Sequence, residues 1–178
     1  MIRFSGLKLM LFLALAAGFS SNAHASLYLE PYLGYFLGKM DRGSNEYDVK
    51  GFGYGGRVGY SVLGLAGGLE YQTGMLKDNA NPNNDITPTD IGAFVSFKLP
   101  VLLRVYAGYF FSSEAKVGST NTYKGNGMKF GLGFTMFPFV ILNLDYMTNS
   151  YDKDNNGSLS PKISTTGFLF NVSIPFEF

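Results

Sequence analysis

The chain ends in eleven residues in which every second side chain is large and apolar, and this alternation constrains the fold more than any other feature. The apolar positions are Phe168, Phe170, Val172, Ile174, Phe176 and Phe178. A side-chain period of two indicates a β-strand with two unlike faces. Because an aromatic residue at the end of such a strand suits a membrane interface, the pattern favours a strand that lies against lipid.

The start of the chain has the features of a secretory signal peptide. Arg3 and Lys8 accompany an apolar run, and residues 23–25 (AHA) form a small-x-small cleavage site. The apolar run is shorter than the roughly 20 residues that cross a bilayer as a helix, which argues against a membrane anchor. We therefore expect residues 1–25 to be a cleaved signal and residues 26–178 to form one domain.

Composition narrows the class of protein further. The signal carries two basic residues and no acids, so 12 basic and 13 acidic residues remain, a net charge of −1. No basic patch or run of Arg indicates nucleic-acid binding. The chain has no Cys, which, together with the signal, suits an exported bacterial envelope protein. High Gly and aromatic content with few charges is natural for a barrel with a lipid-facing belt.

Alternating segments recur along the rest of the chain. Their spans are 26–39, 50–62, 65–76, 90–99, 101–113, 123–137, 139–150 and 164–178. Each is close to the ~9–11 residues that cross a membrane as a tilted strand. Long polar connections after odd-numbered segments alternate with tight turns after even-numbered ones. This pattern predicts an all-β, eight-stranded antiparallel up-and-down transmembrane barrel, with four extracellular loops and both termini in the periplasm.

The two faces of these segments have opposite chemistry. One face is apolar and uncharged, as lipid contact requires, because a charge at the bilayer midplane costs about 2–4 kcal/mol. The other face carries glycines and scattered charges, which inside a narrow bore must be paired or hydrated. We predict that six of these charges form a salt-bridged plug that closes the lumen. The six are Glu30, Arg57, Glu70, Arg104, Lys129 and Asp145.

A soluble eight-stranded barrel, with the apolar face turned inward, is the competing fold. The opposite face carries too few charges for a solvated surface. So small a bore also could not hold all the aromatic rings of the apolar face. Both arguments favour the membrane barrel.

The pattern resembles the small outer-membrane β-barrel family typified by the transmembrane domains of OmpA and OmpX. The C-terminal assembly signal of that family reads polar-x-Gly-x-x-hydrophobic-x-aromatic. Asn171, Phe176 and Phe178 match it, with Ser173 in the Gly position. The resemblance implies a monomer in the lipids of the bacterial outer membrane, whose C-terminus is recognised by the barrel-assembly machinery. It does not specify a function, because such barrels include adhesins, structural anchors, narrow pores and enzymes.

Catalytic chemistry has few candidates in this chain. The only His is His24, inside the predicted signal, and Cys is absent. The mature chain therefore lacks the usual general base at neutral pH and the usual thiol nucleophile. Glu70 and Asp145 could form a carboxylate pair, but we expect neighbouring bases to neutralise them. We predict no catalytic residues and no enzymatic activity.

One polar segment resembles a calcium-binding loop. Asp152, Asp154 and Asn156 occupy the first, third and fifth positions of an EF-hand-like stretch, and Gly157 permits the turn. Ile163 stands where a bidentate Glu belongs, and the flanking segments are strands. A polar hairpin loop explains the same residues, since Asp, Asn, Gly and Ser form turns. Weakly bound calcium is the one cofactor that the sequence suggests.

The sequence therefore predicts a structural or surface-interaction barrel, closed by its plug, whose loops could meet an extracellular ligand. The alternative is a narrow pore for ions or small solutes, which inward-facing glycines would allow.

Overall fold

A computed structural model describes residues 25–43, 45–79, 85–118, 121–137, 139–155 and 157–178. The predicted signal peptide, apart from Ala25, lies outside these residues. No helix among the described residues is long and apolar enough to cross a membrane.

The described residues form eight long strands and a short ninth one. Their bounds are β1 Ser26–Arg42, β2 Asn45–Val62, β3 Leu65–Asp78, β4 Asp85–Lys98, β5 Leu103–Val117, β6 Asn121–Phe137, β7 Val140–Asp154, β8 Gly157–Ser173 and β9 Phe176–Glu177. Consecutive strands from β1 to β8 pair antiparallel, and β1 also pairs with β8 and β9, so the sheet closes on itself. The predicted eight-stranded antiparallel barrel is confirmed. Closure leaves no open sheet edge, which a bilayer would not tolerate.

The C-terminal strand of the barrel, formed by β8 and β9, is interrupted once. β8 and β9 share one register on β1, with a gap at Pro175, which has no N–H to donate to the ladder. Phe178 then exchanges two backbone hydrogen bonds of 3.0 Å with Leu27. The single strand predicted over 164–178 is therefore a longer strand with one break.

The lipid-facing side of the barrel follows the predicted alternation. Leu33, Leu69 and Phe130 point outward and are 58%, 56% and 54% exposed. We call this part of the barrel, from Leu27 to Leu37 on β1 and the paired parts of the other strands, the membrane belt. Its outer face is apolar, as contact with hydrocarbon requires.

The end of the barrel predicted to be extracellular differs from the prediction, because the strands continue where long loops were expected. β2 begins at Asn45 rather than at 50, β4 at Asp85 rather than at 90, and β8 at Gly157 rather than at 164. The prediction of four long loops is therefore wrong. The connections that remain at this end are 43–44, 79–84, 118–120 and 155–156.

These strand extensions form a collar beyond the membrane belt. It comprises residues 38–42, 45–50, 76–78, 85–88, 114–117, 121–124, 151–154 and 157–163. On β2 the belt turns Val58 outward and Arg57 inward, whereas the collar turns Asp48 and Lys50 outward and buries Val49. Hydrophobic and polar faces thus exchange places between belt and collar.

The lumen above the predicted plug is filled by an apolar cluster that the sequence pattern does not predict. It reaches from the middle of the belt into the collar, and its buried members are Tyr32, Phe36, Met40, Val49, Leu76, Ile86, Phe110, Ala115, Val117, Met147, Tyr151, Ile163 and Leu169. Ile86 and Val117 belong to segments that were expected to be polar loops. The barrel therefore has a hydrophobic core of its own at the collar end.

Candidate functional site

The six charged residues predicted to plug the barrel meet in its lumen. They come from six different strands, and each is 4% exposed or less. Across β1, β2 and β3, Glu30, Arg57 and Glu70 stand directly opposite one another. Three acids and three bases balance in charge. We call the six residues the lumen charge network.

Glu30 is held by two arginines. Arg104 donates from Nη2 to Oε1 at 2.7 Å and from Nη1 to Oε2 at 2.9 Å, which is the bidentate geometry favoured by guanidinium and carboxylate. Arg57 Nη1 donates to Oε2 at 3.1 Å. The buried carboxylate therefore faces two positive charges.

Glu70 and Asp145 contact the same two bases, Arg57 and Lys129. Arg57 Nε lies 3.3 Å from Glu70 Oε1, and Lys129 forms an ion pair with the same carboxylate. Asp145 Oδ2 lies 3.9 Å from Arg57 Nη2 and 3.8 Å from Lys129 Nζ. Each of the three acids thus contacts two bases, so that no charge of the network is buried alone. Removing one base would leave a carboxylate under-compensated in a dry interior.

Three tyrosines complete the network. Tyr28 donates to Glu30, Tyr32 donates to Glu70 Oε1 at 2.7 Å, and Tyr106 donates to Asp145. The Arg57 guanidinium lies 4.3 Å from the Tyr106 ring centroid and 4.9 Å from that of Tyr32, so the two rings hold it by cation–π contact.

The tyrosines were missed, although a signal for them exists in the sequence. Tyr28 and Tyr32 stand two residues on either side of Glu30, and Tyr106 stands two residues after Arg104. Strand alternation alone places all three on the inward face. The pairing of each hydroxyl with one acid depends on the register between strands, which alternation does not specify.

Two inward glycines make room for these rings. A Cβ on Gly55 would lie 2.6 Å from the Tyr32 hydroxyl, and a Cβ on Gly131 would lie 2.5 Å from the Tyr106 hydroxyl. Real Cβ contacts are not that short, so the rings occupy the space that the glycines leave. The pore interpretation of the sequence assumes that inward glycines leave an open bore. At these two positions the tyrosine rings fill that space instead.

A layer of amides joins the network to the C-terminal strand. Arg104 Nη2 donates to Asn143 Oδ1 at 2.8 Å, and Asn143 Nδ2 donates to Asn171 Oδ1 at 2.9 Å. Asn171 Nδ2 in turn donates to Asp145 Oδ2 at 3.0 Å. Of the predicted assembly signal, Asn171 is thus buried inside the barrel.

The two aromatic residues of that signal lie on the outside. Phe176 and Phe178 are 42% and 74% exposed, and their rings stack with centroids 6.2 Å apart. They lie beside Leu27 at the end of the barrel that carries both termini, which is the end predicted to face the periplasm. Recognition of these residues during assembly stays a prediction.

Two small cavities lie on either side of the network. The cavity toward the collar measures about 30 Å³ and is bordered by Asp90, Asn149 and Thr165. The cavity toward the end of the barrel that carries the termini measures about 40 Å³ and is bordered by Arg104 and Lys98. Since one water needs roughly 10–15 Å³ of such space, each cavity has room for only a few waters.

Two of the three predicted calcium ligands, Asp152 and Asp154, lie at the end of the β7–β8 hairpin. Asp152 and Asp154 end β7, and Asp154 pairs with Gly157 at the start of β8. Asn156 lies outside the described residues. Among the described residues, no group of three or more His, Cys, Asp or Glu side chains gathers to hold a metal. Calcium binding stays a prediction, which a titration that follows the NMR signals of this hairpin would test.

No protein-family model matches the sequence, and no curated protein matches it either. Solved structures do match. Neisserial surface protein A is 22% identical, with 86% of this chain and 99% of that chain covered and a TM-score of 0.61. Ail, the attachment invasion locus protein of Yersinia pestis, is 12% identical, with 84% and 98% covered and a TM-score of 0.60.

The chain has the fold of the small bacterial outer-membrane β-barrels. The membrane-spanning, outer-membrane type of barrel predicted from the sequence is therefore confirmed. At these identities the likeness concerns the fold, so the function of this barrel has to be argued from its own residues.

Proposed function

We propose that this protein is a non-catalytic, structural or surface-interaction barrel of the bacterial outer membrane that acts as a monomer. Its membrane belt contacts the lipids, its lumen is closed, and its collar presents the surface that meets the outside. The observation that carries the proposal is the double closure of the lumen. The lumen charge network closes the lumen within the belt, and the apolar cluster fills it from the middle of the belt into the collar.

The charge network is a strong barrier to solute. A path through the belt would require moving Arg57, which contacts all three acids and lies between two tyrosine rings. Such a movement would leave buried carboxylates without a full set of partners, which is costly. The packed side chains of the apolar cluster are a second barrier, because an ion that crosses them loses most of its water to apolar surroundings.

The collar supports the surface-interaction part of the proposal. Its outer face carries charges of both signs, including ion pairs between Lys39 and Glu46 at 2.5 Å and between Lys124 and Glu114 at 3.0 Å. Continuous pairing of β1 with β2 and, in the collar, of β5 with β6 makes these parts of the surface rigid rather than loop-like. A rigid surface loses little conformational entropy when a partner binds. The names of the two similar structures, a surface protein and an attachment protein, agree with a role of this kind.

A narrow pore for ions or small solutes is the second candidate. It is favoured by the water-sized cavities on both sides of the network and by Lys129, which contacts Glu70 and Asp145 together and could exchange between them. In this case the network would act as a gate rather than as a permanent plug.

Planar-bilayer conductance separates the two functions. We expect the wild-type barrel and the surface control Lys39→Ala to be electrically silent. Stable single-channel steps in the wild type that change in Arg57→Ala would support the pore and refute permanent closure.

We further propose that Phe178, with Asn171 and Phe176, is recognised by the barrel-assembly machinery. The supporting observation is that the Phe178 side chain lies on the outside, at the end of the strand that closes the barrel, and is 74% exposed. Deletion of Phe178 should reduce insertion in cells more than refolding in detergent, where no machinery acts. Equal losses in the two assays would leave Phe178 with an anchoring role only.

A further inference from the structure

We propose that the collar end of the lumen holds one small monovalent cation, bound by the Asp90 carboxylate together with neutral side-chain oxygens. This site is separate from the lumen charge network. It lies where the membrane belt meets the collar, within the apolar cluster.

Asp90 differs from the acids of the network because no basic side chain contacts it directly. It is 1% exposed, and its Oδ1 accepts hydrogen bonds from Ser113 Oγ and, at 3.0 Å, from Asn149 Nδ2. Its Oδ2 has no hydrogen-bond partner. Among the described residues, no Lys or Arg side chain lies within 4.0 Å of it. A buried carboxylate that no positive charge contacts is strongly unfavourable, so either a bound cation or a proton must neutralise it.

The cavity of about 30 Å³ beside Asp90 provides space for such a cation. Asn149 and Thr165 border it as well, and both are at least nine-tenths buried. Asn149 Oδ1 and Thr165 Oγ1 also lack hydrogen-bond partners. Three buried side chains with unused oxygens therefore border one cavity, and oxygen is the ligand that hard cations prefer.

The position of Asn149 shows that the site is built by several strands. Asn149 reaches from β7 past β6 to bond Ser113 of β5 at 3.0 Å and Asp90 of β4 at 3.0 Å. It can do so because the intervening strand has Gly127 at this level, where a Cβ would lie 2.8 Å from Asn149 Cγ. The polar groups are thus gathered into one place although most of the surrounding side chains are apolar.

Charge and size define the ion. One carboxylate balances one positive charge, whereas a divalent ion would leave a net charge in an apolar interior. A cavity that admits only a few waters suits Na⁺, bare or with one water, and excludes a large cation such as choline. Na⁺ is smaller than Cs⁺, so it approaches the carboxylate more closely and is attracted to it more strongly.

Thermal unfolding of the refolded barrel tests this site. The chain is refolded in detergent in the chloride salt of Na⁺, Cs⁺ or choline at equal ionic strength, so that screening of exposed charges is the same in each sample. An ion that binds only the folded state raises the melting temperature. We expect a melting temperature a few degrees higher in Na⁺ than in Cs⁺ or choline. Equal melting temperatures in the three salts would overturn the proposal.

Substitutions locate the effect. Asp90→Asn should abolish the difference between Na⁺ and choline, whereas Asp85→Asn, at an exposed acid of the same strand, should keep it. If the difference persists in Asp90→Asn, the ion binds elsewhere and the proposal is wrong. A wild type that ignores the cation, with an Asp90→Asn variant that melts higher, would show that Asp90 carries a proton instead, and this also overturns it.

A second variant keeps the test decisive if Asp90→Asn does not refold. Thr165→Val keeps the carboxylate and the shape of the side chain but removes one neutral oxygen. It should reduce the melting-temperature difference between Na⁺ and choline. An unchanged difference in this variant would contradict the proposed site.

Discussion

The membrane belt and the collar are made by the same eight strands, yet the face that points into the lumen has opposite chemistry in the two regions. In the belt Val58 and Leu69 point outward, and Arg57 points inward. In the collar Lys50 points outward, and Val49 points inward. The medium outside explains the difference. Hydrocarbon surrounds the belt and excludes charge, so polar groups collect inside, whereas water around the collar drives its apolar groups inward.

The comparison shows that one lumen can be closed by two kinds of interaction. In the belt, closure depends on complementary charges whose partners must all be present. In the collar, closure depends on packed apolar side chains. Asp90 lies between the two regions, which accounts for a carboxylate that has neither a basic partner nor exposure to water.

The largest effect is expected from removing the central base of the belt. Arg57→Ala leaves all three acids with fewer counter-charges and should lower the free energy of unfolding by about 3–5 kcal/mol. Urea unfolding in lipid vesicles, followed by circular dichroism, measures it. Lys39→Ala, which breaks an exposed ion pair of the collar, should change little. Similar losses in the two variants would mean that the belt charges are not tightly coupled.

A core truncation tests the hydrophobic character of the collar. Ile86 is 1% exposed there, and Ile86→Ala should cost about 2–5 kcal/mol through lost burial and the cavity left behind. Thr87→Ala changes the next residue, which points outward, and is the matched control. The same unfolding assay applies, and a cost no greater than that of the control would argue that the collar interior is hydrated.

Placing one charge on the outer face of each region locates the boundary between them. Leu69→Lys puts a charge in hydrocarbon and should cost about 2–4 kcal/mol. Thr87→Lys puts the same charge on the outer face of the collar, where water solvates it, and should be nearly neutral. Vesicle unfolding again provides the measurement, and equal costs would show that the collar also lies within the bilayer.

The smallest effect is expected from filling the space of one inward glycine. Gly131→Ala brings a Cβ against the Tyr106 ring and should cost about 1–3 kcal/mol by overpacking. Gly53→Ala is the control, because its Cβ would lie 3.5 Å from Leu169 Cδ1, an ordinary contact. Replacing Tyr106 by Leu as well should recover part of the loss. No recovery in that double variant would contradict the account of the glycine.

The belt could be predicted from the sequence because lipid imposes a simple rule on alternating residues. Apolar side chains such as Leu33 and Leu69 recur at every second position, and no charged residue occurs among them. The residues between them on the same strand therefore face inward. The same rule brought the six charges of the network to one lumen. The same alternation also places Tyr32 and Tyr106 on the inward face. A tyrosine has both an apolar ring and a polar hydroxyl, so its type alone does not indicate which face it occupies.

The collar was not predicted, because its residues satisfy two interpretations. Asp85 and Lys153 lie among Asn, Asp, Gly and Ser, which are common in turns. Ile86 and Val117, two positions that reveal a second inward apolar face, are too sparse to be recognised without the register. The apolar-inward arrangement that was rejected for the whole barrel is the one that the collar adopts.

The sequence by itself determined the architecture of the membrane belt, because a period of two and the exclusion of charge from lipid leave few alternatives. Tertiary structure alone decided how far the strands continue and which acid contacts which base. It also decided that no base contacts Asp90. These properties depend on the register between strands distant in the chain. Register sets the distances between side chains, and neither composition nor periodicity contains it.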